Sequence, residues 1–256
     1  MGPEQRSARR RTTEGGVVSG ATEREPRQVR RMFDGIARRY DLLNHVLSLT
    51  LDRSWRRSAA LELPSGEARR VLDLCGGTGD LTLAIARASG PELVVCCDFA
   101  RAMLDRAGPK FRRAGLAERC TRVQGDGLCL PFRAGTFDAV TVGFGVRNLA
   151  DLDAGFREMA RVLTPSGRLV VLEFSVPEPR LFGRLYGVYL QRVLPRLGDA
   201  VAGRCGPYGY LARTIAAFPD PATLAGRIRE AGFQACGWRR MTGGIVAVHT
   251  AIKGRG

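Results

Sequence analysis

The chain has 256 residues, 45% of them hydrophobic and 25% charged, a globular composition with room for one large domain or two small ones, which excludes disorder throughout. Its aliphatic runs, such as Leu93-Val-Val-Cys-Cys97 and Leu169-Val-Val-Leu172, fall far short of the roughly 18 apolar residues of a membrane span. The net charge of +15 favours polyanions, anionic lipid surfaces or acidic substrates without choosing among them; all 40 basic residues except Lys110 and Lys253 are arginines, so codon composition explains it as well as chemistry does.

In chain order, residues 1–25 are polar, Gly-rich and aperiodic, and read as a disordered basic tail with no signal-peptide core. Helical spacing follows from Arg27 to about Leu63, carried by Val29, Met32, Phe33, Ile36, Tyr40, Leu43, Val46 and Leu47, with a second segment around Trp55. Strands are expected at 70–74, 93–98, 119–124, 138–143 and 167–174, separated by helices at about 79–89, 101–114 and 152–163. Such alternation implies right-handed crossovers and a doubly wound, mostly parallel sheet in an α/β domain. Pro177 interrupts the pattern. An inserted basic amphipathic segment at about 177–213 follows, then a helix at 220–231 and two strands near 233–240 and 244–252. The short Thr242-Gly-Gly244 link predicts an antiparallel hairpin. Residues 26–256 thus form a single domain.

Seven cysteines make an odd set without a C-x-x-C pair, which reads as reduced thiols in a cytoplasmic protein. Only His45 and His249 are available as imidazole ligands, and no Cys or carboxylate spacing completes a set, so no metal is expected.

The strongest local signal is Arg70-Val-Leu-Asp-Leu-Cys-Gly-Gly-Thr-Gly-Asp-Leu-Thr82, a strand running into a glycine-rich turn that opens a helix. The glycines let the backbone turn tightly and a ligand approach without a Cβ in the way. Counting from Gly77, the third glycine of a dinucleotide fingerprint is missing, and there is no Gly-Lys-Ser/Thr for a phosphate loop. The arrangement Asp73, Gly76, Gly77, Thr78, Gly79 resembles instead the first motif of Rossmann-like S-adenosylmethionine-dependent methyltransferases. Asp98 ends the second strand, 25 residues beyond Asp73, where a carboxylate accepts from both ribose hydroxyls of a nucleoside. By the same resemblance the loop Gln124-Gly-Asp126-Gly127 lies along the adenine. The fourth strand ends in Gly143-Phe-Gly-Val-Arg-Asn148, a loop that should face the transferred methyl group, because ligands of open α/β sheets bind at the carboxyl ends of the strands.

Together with Met32-Phe-Asp-Gly-Ile-Ala-Arg-Arg-Tyr-Asp-Leu-Leu-Asn44, Leu51-Asp-Arg-Ser-Trp-Arg56, Leu172-Glu-Phe-Ser175, Tyr208-Gly-Tyr-Leu211 and Thr242-Gly-Gly-Ile-Val-Ala-Val-His249, these motifs resemble the ubiquinone/menaquinone biosynthesis C-methyltransferases in order over about residues 27–253. The resemblance implies a seven-stranded sheet with an antiparallel last strand and methyl transfer from S-adenosylmethionine to a ring carbon of a demethylated isoprenoid quinol, giving menaquinol or a ubiquinol precursor. It implies cofactor contacts from Gly76, Gly77, Thr78, Gly79, Asp98, Asp126, Gly127 and Gly143. Two positions depart from the family pattern: Asp126 stands for a common Asn, and Gly143 for a Ser found in some members.

A sulfonium methyl is already activated, so the protein must align the reactants and favour a phenolate on the quinol. Arg147 is expected to stabilise that phenolate, with Asn148 and Tyr40 orienting the ring and His45 and Asp41 in reserve as bases. The isoprenoid tail suggests transient membrane contact, with Arg180, Arg184, Arg192 and Arg196 facing anionic head groups from a cytoplasmic enzyme. A homodimer is compatible with the sequence. A soluble phenol is the rival acceptor. RNA is a weaker one, since no Asn/Asp-Pro-Pro-aromatic motif follows the fourth strand and no RNA-binding module fits, so no nucleic-acid partner is expected. A protein that retains the cofactor fold without activity is disfavoured by the intact glycine and acid motifs.

Overall fold

The computed structural model describes residues 34–35, 37, 40–64, 66, 68–175, 177, 187–188 and 207–255. The expected tail, the periodic positions Val29, Met32, Phe33 and Ile36, and the four arginines Arg180, Arg184, Arg192 and Arg196 lie outside these residues.

Two helices, α1 (Tyr40–Leu47) and α2 (Leu51–Ala60), precede β1 (Arg70–Leu74). Then come α3 (Asp80–Ala88), β2 (Leu93–Asp98), α4 (Arg101–Arg113), β3 (Cys120–Gln124), β4 (Phe137–Gly143), a 3-10 turn at Val146–Asn148, α5 (Leu152–Val162) and β5 (Leu163–Phe174). The chain closes with α6 (Pro207–Ala217), α7 (Pro221–Glu230), β6 (Phe233–Met241) and β7 (Val246–Lys253). The seven strands are ordered β3-β2-β1-β4-β5-β7-β6. β1 to β5 pair in parallel, and β7 runs antiparallel between β5 and β6.

Side chains alternate between the two faces of each strand, and both faces are covered. Val71, Val94, Cys96, Ala139 and Leu172 pack under Trp55 and Ala59 of α2, Leu81 and Ile85 of α3, and Leu104 and Phe111 of α4. Leu72, Leu74, Val95, Val140 and Val142 pack under Phe156 and Met159 of α5 and Leu224 and Ile228 of α7. Helix starts obey capping chemistry: Asp151 accepts from Ala154 N, while Asp220, followed by Pro221, accepts from Ala222 N and Thr223 N.

Two expected boundaries shift. β5 begins at Leu163, not 167, because Thr164-Pro-Ser-Gly167 is absorbed as a bulge: Phe137 pairs with Leu163 but Ala139 with Arg168. α6, Pro207–Ala217, runs through the expected end of the inserted segment at about 213.

Chain progression moves outward from β1 to β2 and β3, then returns to β4 on the other side of β1. The crevice of a doubly wound sheet lies at such a reversal, outside the carboxyl ends of β1 and β4. Gly79 holds the turn at its floor. Its φ is +84°, and a Cβ there would stand 2.5 and 2.7 Å from ring atoms of Phe111 on α4. Gly79→Ala therefore combines left-handed strain with overpacking, and should cost about 2–4 kcal/mol in chemical denaturation. A loss below about 0.5 kcal/mol would show that α4 yields freely at this contact.

Candidate active site

The loops after β1 and β4 meet at the reversal. Cys75 and Phe144 follow their strands with φ of 55° and 59°, conformations that non-glycine residues adopt at a cost of about 1–3 kcal/mol and that concentrate at functional sites. A Cβ on Gly145 would stand 2.3 Å from the Cβ of Cys75, so only glycine lets the two loops close on each other. A cavity above them is walled by Tyr40, Arg56, Asp73, Gly76, Thr78, Asp80 and Gly143, among others.

The glycine turn is tied to the sheet and to the first helix. Gly76 N donates to Cys97 O at 3.0 Å, and Gly77 N to Asp98 Oδ2 at 2.9 Å. Ala100 N donates to the other Asp98 oxygen at 2.8 Å. Asp73, wholly buried in β1, accepts from the hydroxyls of Thr82 at 2.6 Å and Thr141 at 3.0 Å. Burial pushes both carboxyls up to about 6, against these hydrogen bonds, which pull them back.

Thr78 is buried, and its hydroxyl donates to Asp41 Oδ1 at 2.5 Å. Lys110 on α4 completes the arrangement, with Nζ at 3.1 Å from Thr78 Oγ1 and 2.6 Å from both Asp80 Oδ1 and Asp41 Oδ2. An ammonium has three N–H donors, and this one meets three acceptors. Asp41, expected as a reserve base, is therefore held in the clamp that fixes α1 over the turn. His45, the other reserve base, has Nδ1 at 3.0 Å from both oxygens of Asp52. Asp52 also accepts from Ser48 Oγ at 3.0 Å and pairs with Arg56. Burial alone would raise the Asp52 carboxyl, yet Arg56, His45 and Ser48 together hold it below its usual range.

Beyond β4, Arg147 is 7% exposed in its side chain and pairs at 2.6 Å with Glu173, which is 1% exposed. The same nitrogen donates to Phe144 O at 2.5 Å, and the guanidinium lies 5.2 Å from the centroid of the Phe174 ring. Its Nε is buried with no hydrogen-bond partner among the described residues. Asn148 Oδ1 accepts from Tyr210 of α6 at 3.1 Å. Burial raises the Tyr40 phenol pKa, opposed by the charges of Arg147 and Arg56.

Tyr40, Gly76, Thr78 and Gly143 thus surround one cavity, with Arg147 and Asn148 on the adjoining 3-10 turn and Asp98 one strand away. Asp126 and Gly127 follow β3 on the far side of Asp98 and are not among the cavity walls. Asp126 is exposed and accepts from Leu128 N at 2.9 Å, while Gly127 is buried against Leu149. Sequence reasoning passed over Lys110, Glu173, Arg56 and Asp52. Two of them left signals: Glu173 is an acid inside an aliphatic strand, and Asp52 and Arg56 stand four apart on one helix. Among the described residues no cluster of three or more His, Cys, Asp or Glu side chains could hold a metal ion.

The strand order, the glycine turn after β1 and the acid closing β2 define a Rossmann-like S-adenosylmethionine-dependent methyltransferase. Solved structures share the fold: the 4+2 cyclase SpnF, at a TM-score of 0.67 and 18% identity over 91% of this chain and 97% of that one; and an S-adenosylmethionine-dependent methyltransferase from Thermotoga maritima, at 0.57 and 18% over 87% and 100%. The chain belongs to the ubiE/COQ5 methyltransferase family, whose model matches residues 21–253. It is 48% identical over 231 residues to the demethylmenaquinone methyltransferase of Mycolicibacterium vanbaalenii, covering 90% of this chain and 97% of the relative. The residues present fit the methyl donor: nothing stands within 4 Å of where a Gly77 Cβ would point, and carboxylates ring the turn for its ammonium and hydroxyl donors.

The raised Asp73 carboxyl has a consequence for stability. A folded-state pKa of about 6 against an ordinary 3.8 means that the folded chain binds the extra proton between these values, so this group destabilises progressively as pH rises through that window. Asp73→Asn removes the titration. Its stability relative to wild type should climb from pH 4 to 6, by at most about 1.4 kcal/mol per pH unit, and then level off in urea melts. A difference independent of pH would show that Asp73 ionises normally.

Proposed function

We propose that the chain methylates a ring carbon of demethylmenaquinol, with S-adenosylmethionine as donor. The relative that it matches over nearly its whole length carries that substrate in its name. The observation that carries the site reading is the buried Nε of Arg147, which has no hydrogen-bond partner among the described residues. A buried donor without an acceptor costs about 1–3 kcal/mol, which a quinol oxygen would return on binding. Glu173 and Phe144 O pre-set the guanidinium, so its N–H group is in place before the quinol arrives and favours the phenolate form of that oxygen. Because Glu173 offsets the charge, Arg147 acts as an oriented donor more than as a free cation.

S-adenosylmethionine supplies an electrophilic methyl on sulfonium. Asp98 would accept from its ribose hydroxyls, Gly76 to Gly79 and Gly143 would line its approach, and the Asp126–Gly127 loop would lie along the adenine. Tyr40 and the amide of Asn148, steadied by Tyr210, orient the ring. Thr78 contributes chiefly by fixing α1 through Asp41, since its hydroxyl proton is already committed.

The same reading places the enzyme transiently on an anionic bilayer, where its isoprenoid substrate resides. The loop joining α1 to α2 supports it: Leu49 is 80% and Leu51 39% exposed, with Arg53 and Arg57 exposed along α2. Among the described residues no helix is long and apolar enough to cross a membrane.

Purified protein given methyl-labelled S-adenosylmethionine should label demethylmenaquinol, and neither a tail-less naphthol nor total RNA to a comparable extent; label confined to RNA or to the soluble phenol overturns the assignment. Arg147→Ala should lower turnover about 100- to 1000-fold with S-adenosylhomocysteine affinity retained. Turnover within twofold of wild type removes Arg147 from the chemistry. The paired change Leu49→Ser and Leu51→Ser should abolish co-sedimentation with phosphatidylglycerol vesicles and leave turnover of a short-tailed quinol in detergent intact. Undiminished sedimentation places the contact elsewhere.

A further inference from the structure

We propose that Arg56 anchors the carboxylate at the methionine end of S-adenosylmethionine. The inference rests on the reading of this cavity as the donor's site and adds a residue to it. With the ribose at Asp98 on β2, a spacing of about 4.8 Å between strands carries the amino-acid end roughly 10 Å across β1 to β4, which is where the cavity lies. That end bears an ammonium and a carboxylate. The charged side chains walling the cavity are Asp73, Asp80 and Arg56. The two acids suit the ammonium. A carboxylate entering beside them is repelled unless a cation meets it.

Two other cations stand nearby, and neither walls the cavity. Lys110 spends its three donors on Thr78, Asp80 and Asp41. Arg147 is held by Glu173 and Phe144 O through a single nitrogen, and it is not among the cavity walls. Arg56 differs. Its guanidinium offers five N–H donors, and among the described residues its hydrogen-bond partner is Asp52 alone. It is held 5.4 Å from the centroid of the Phe144 ring, while Asp52 is itself fixed by His45 and Ser48. A planar fork, buried, braced through a carboxylate that does not wall the cavity and facing a space whose other charged walls are acids, is built to receive a second carboxylate.

The test compares S-adenosylhomocysteine with S-adenosyl-3-thiopropylamine, the same molecule without its carboxylate, by isothermal titration. Arg56→Met should weaken the first about 10- to 100-fold and leave the second unchanged. Arg56→Lys, which keeps the charge and the fold but not the fork, should show a smaller loss with the same selectivity. Equal losses for both ligands, or none for either, overturn the proposal. A raised quinol KM with unchanged S-adenosylhomocysteine affinity also overturns it and moves Arg56 to the acceptor side. Wild-type protein that binds neither ligand fails at the level of the donor site itself.

Discussion

The contact between the loops that follow β1 and β4 is the constraint on which the rest depends. The two strands are neighbours, parallel and in register from Val71 opposite Ala139 to Leu74 opposite Val142, so their chains emerge side by side and must diverge without colliding. They do so because Gly145 has no Cβ to strike Cys75, and because Cys75 and Phe144 accept left-handed backbone conformations. The energy stored there, of order 1–3 kcal/mol per residue, is offset by the packed sheet below. From that fixed point the glycine turn reaches toward Asp98 on one side, and the Arg147–Asn148 turn reaches toward Glu173 on the other.

Around this crevice each cation sits against a carboxylate, and for Lys110 and Arg147 the partners come from distant parts of the chain. Buried pairs of this kind add little net stability, since desolvation consumes most of the Coulomb attraction. Their value lies in orientation. Glu173 fixes the plane of Arg147, Asp52 fixes that of Arg56, and Lys110 joins α1, α3 and α4 through one ammonium. Donors held in place before substrate arrives need no reorganisation during reaction, which is where enclosed sites gain most of their effect.

The sheet was legible because its strands are short aliphatic runs spaced by helix-length segments, and β1, β2 and the glycine turn fall where the residues put them. The start of β5 is not legible in the residues, since Pro165 and Gly167 have the chemistry of a turn whether the chain reverses there or merely bulges. Asp98, Thr78 and Arg147 were readable as candidates because they stand at strand ends or in glycine-rich loops. What could not be read was which charges would pair. Lys110 lies 69 residues from Asp41, and Glu173 lies 26 from Arg147, and no local periodicity encodes contacts set by the sheet order. Asp41, a reserve base by expectation, is held by Lys110 of α4, a contact that only the folded chain brings together.

The pairing also reverses the meaning of the chain's net charge. Arginine dominates the whole sequence, yet the crevice gathers Asp41, Asp52, Asp73, Asp80, Asp98 and Glu173 against Arg56, Lys110 and Arg147, an acidic enclave in a basic protein. With its ammonium, sulfonium and carboxylate, the methyl donor carries one net positive charge, and the demethylated product carries none. An enclave of excess carboxylates therefore attracts the donor electrostatically more than the product, and part of that attraction lapses when the methyl leaves. The burial that lifts Asp73 and Asp98 to about 6 moderates this field, because each is costly to keep ionised without a cation nearby. An arriving sulfonium would lower that cost, so the acids of the crevice and the charge of the donor would stabilise one another.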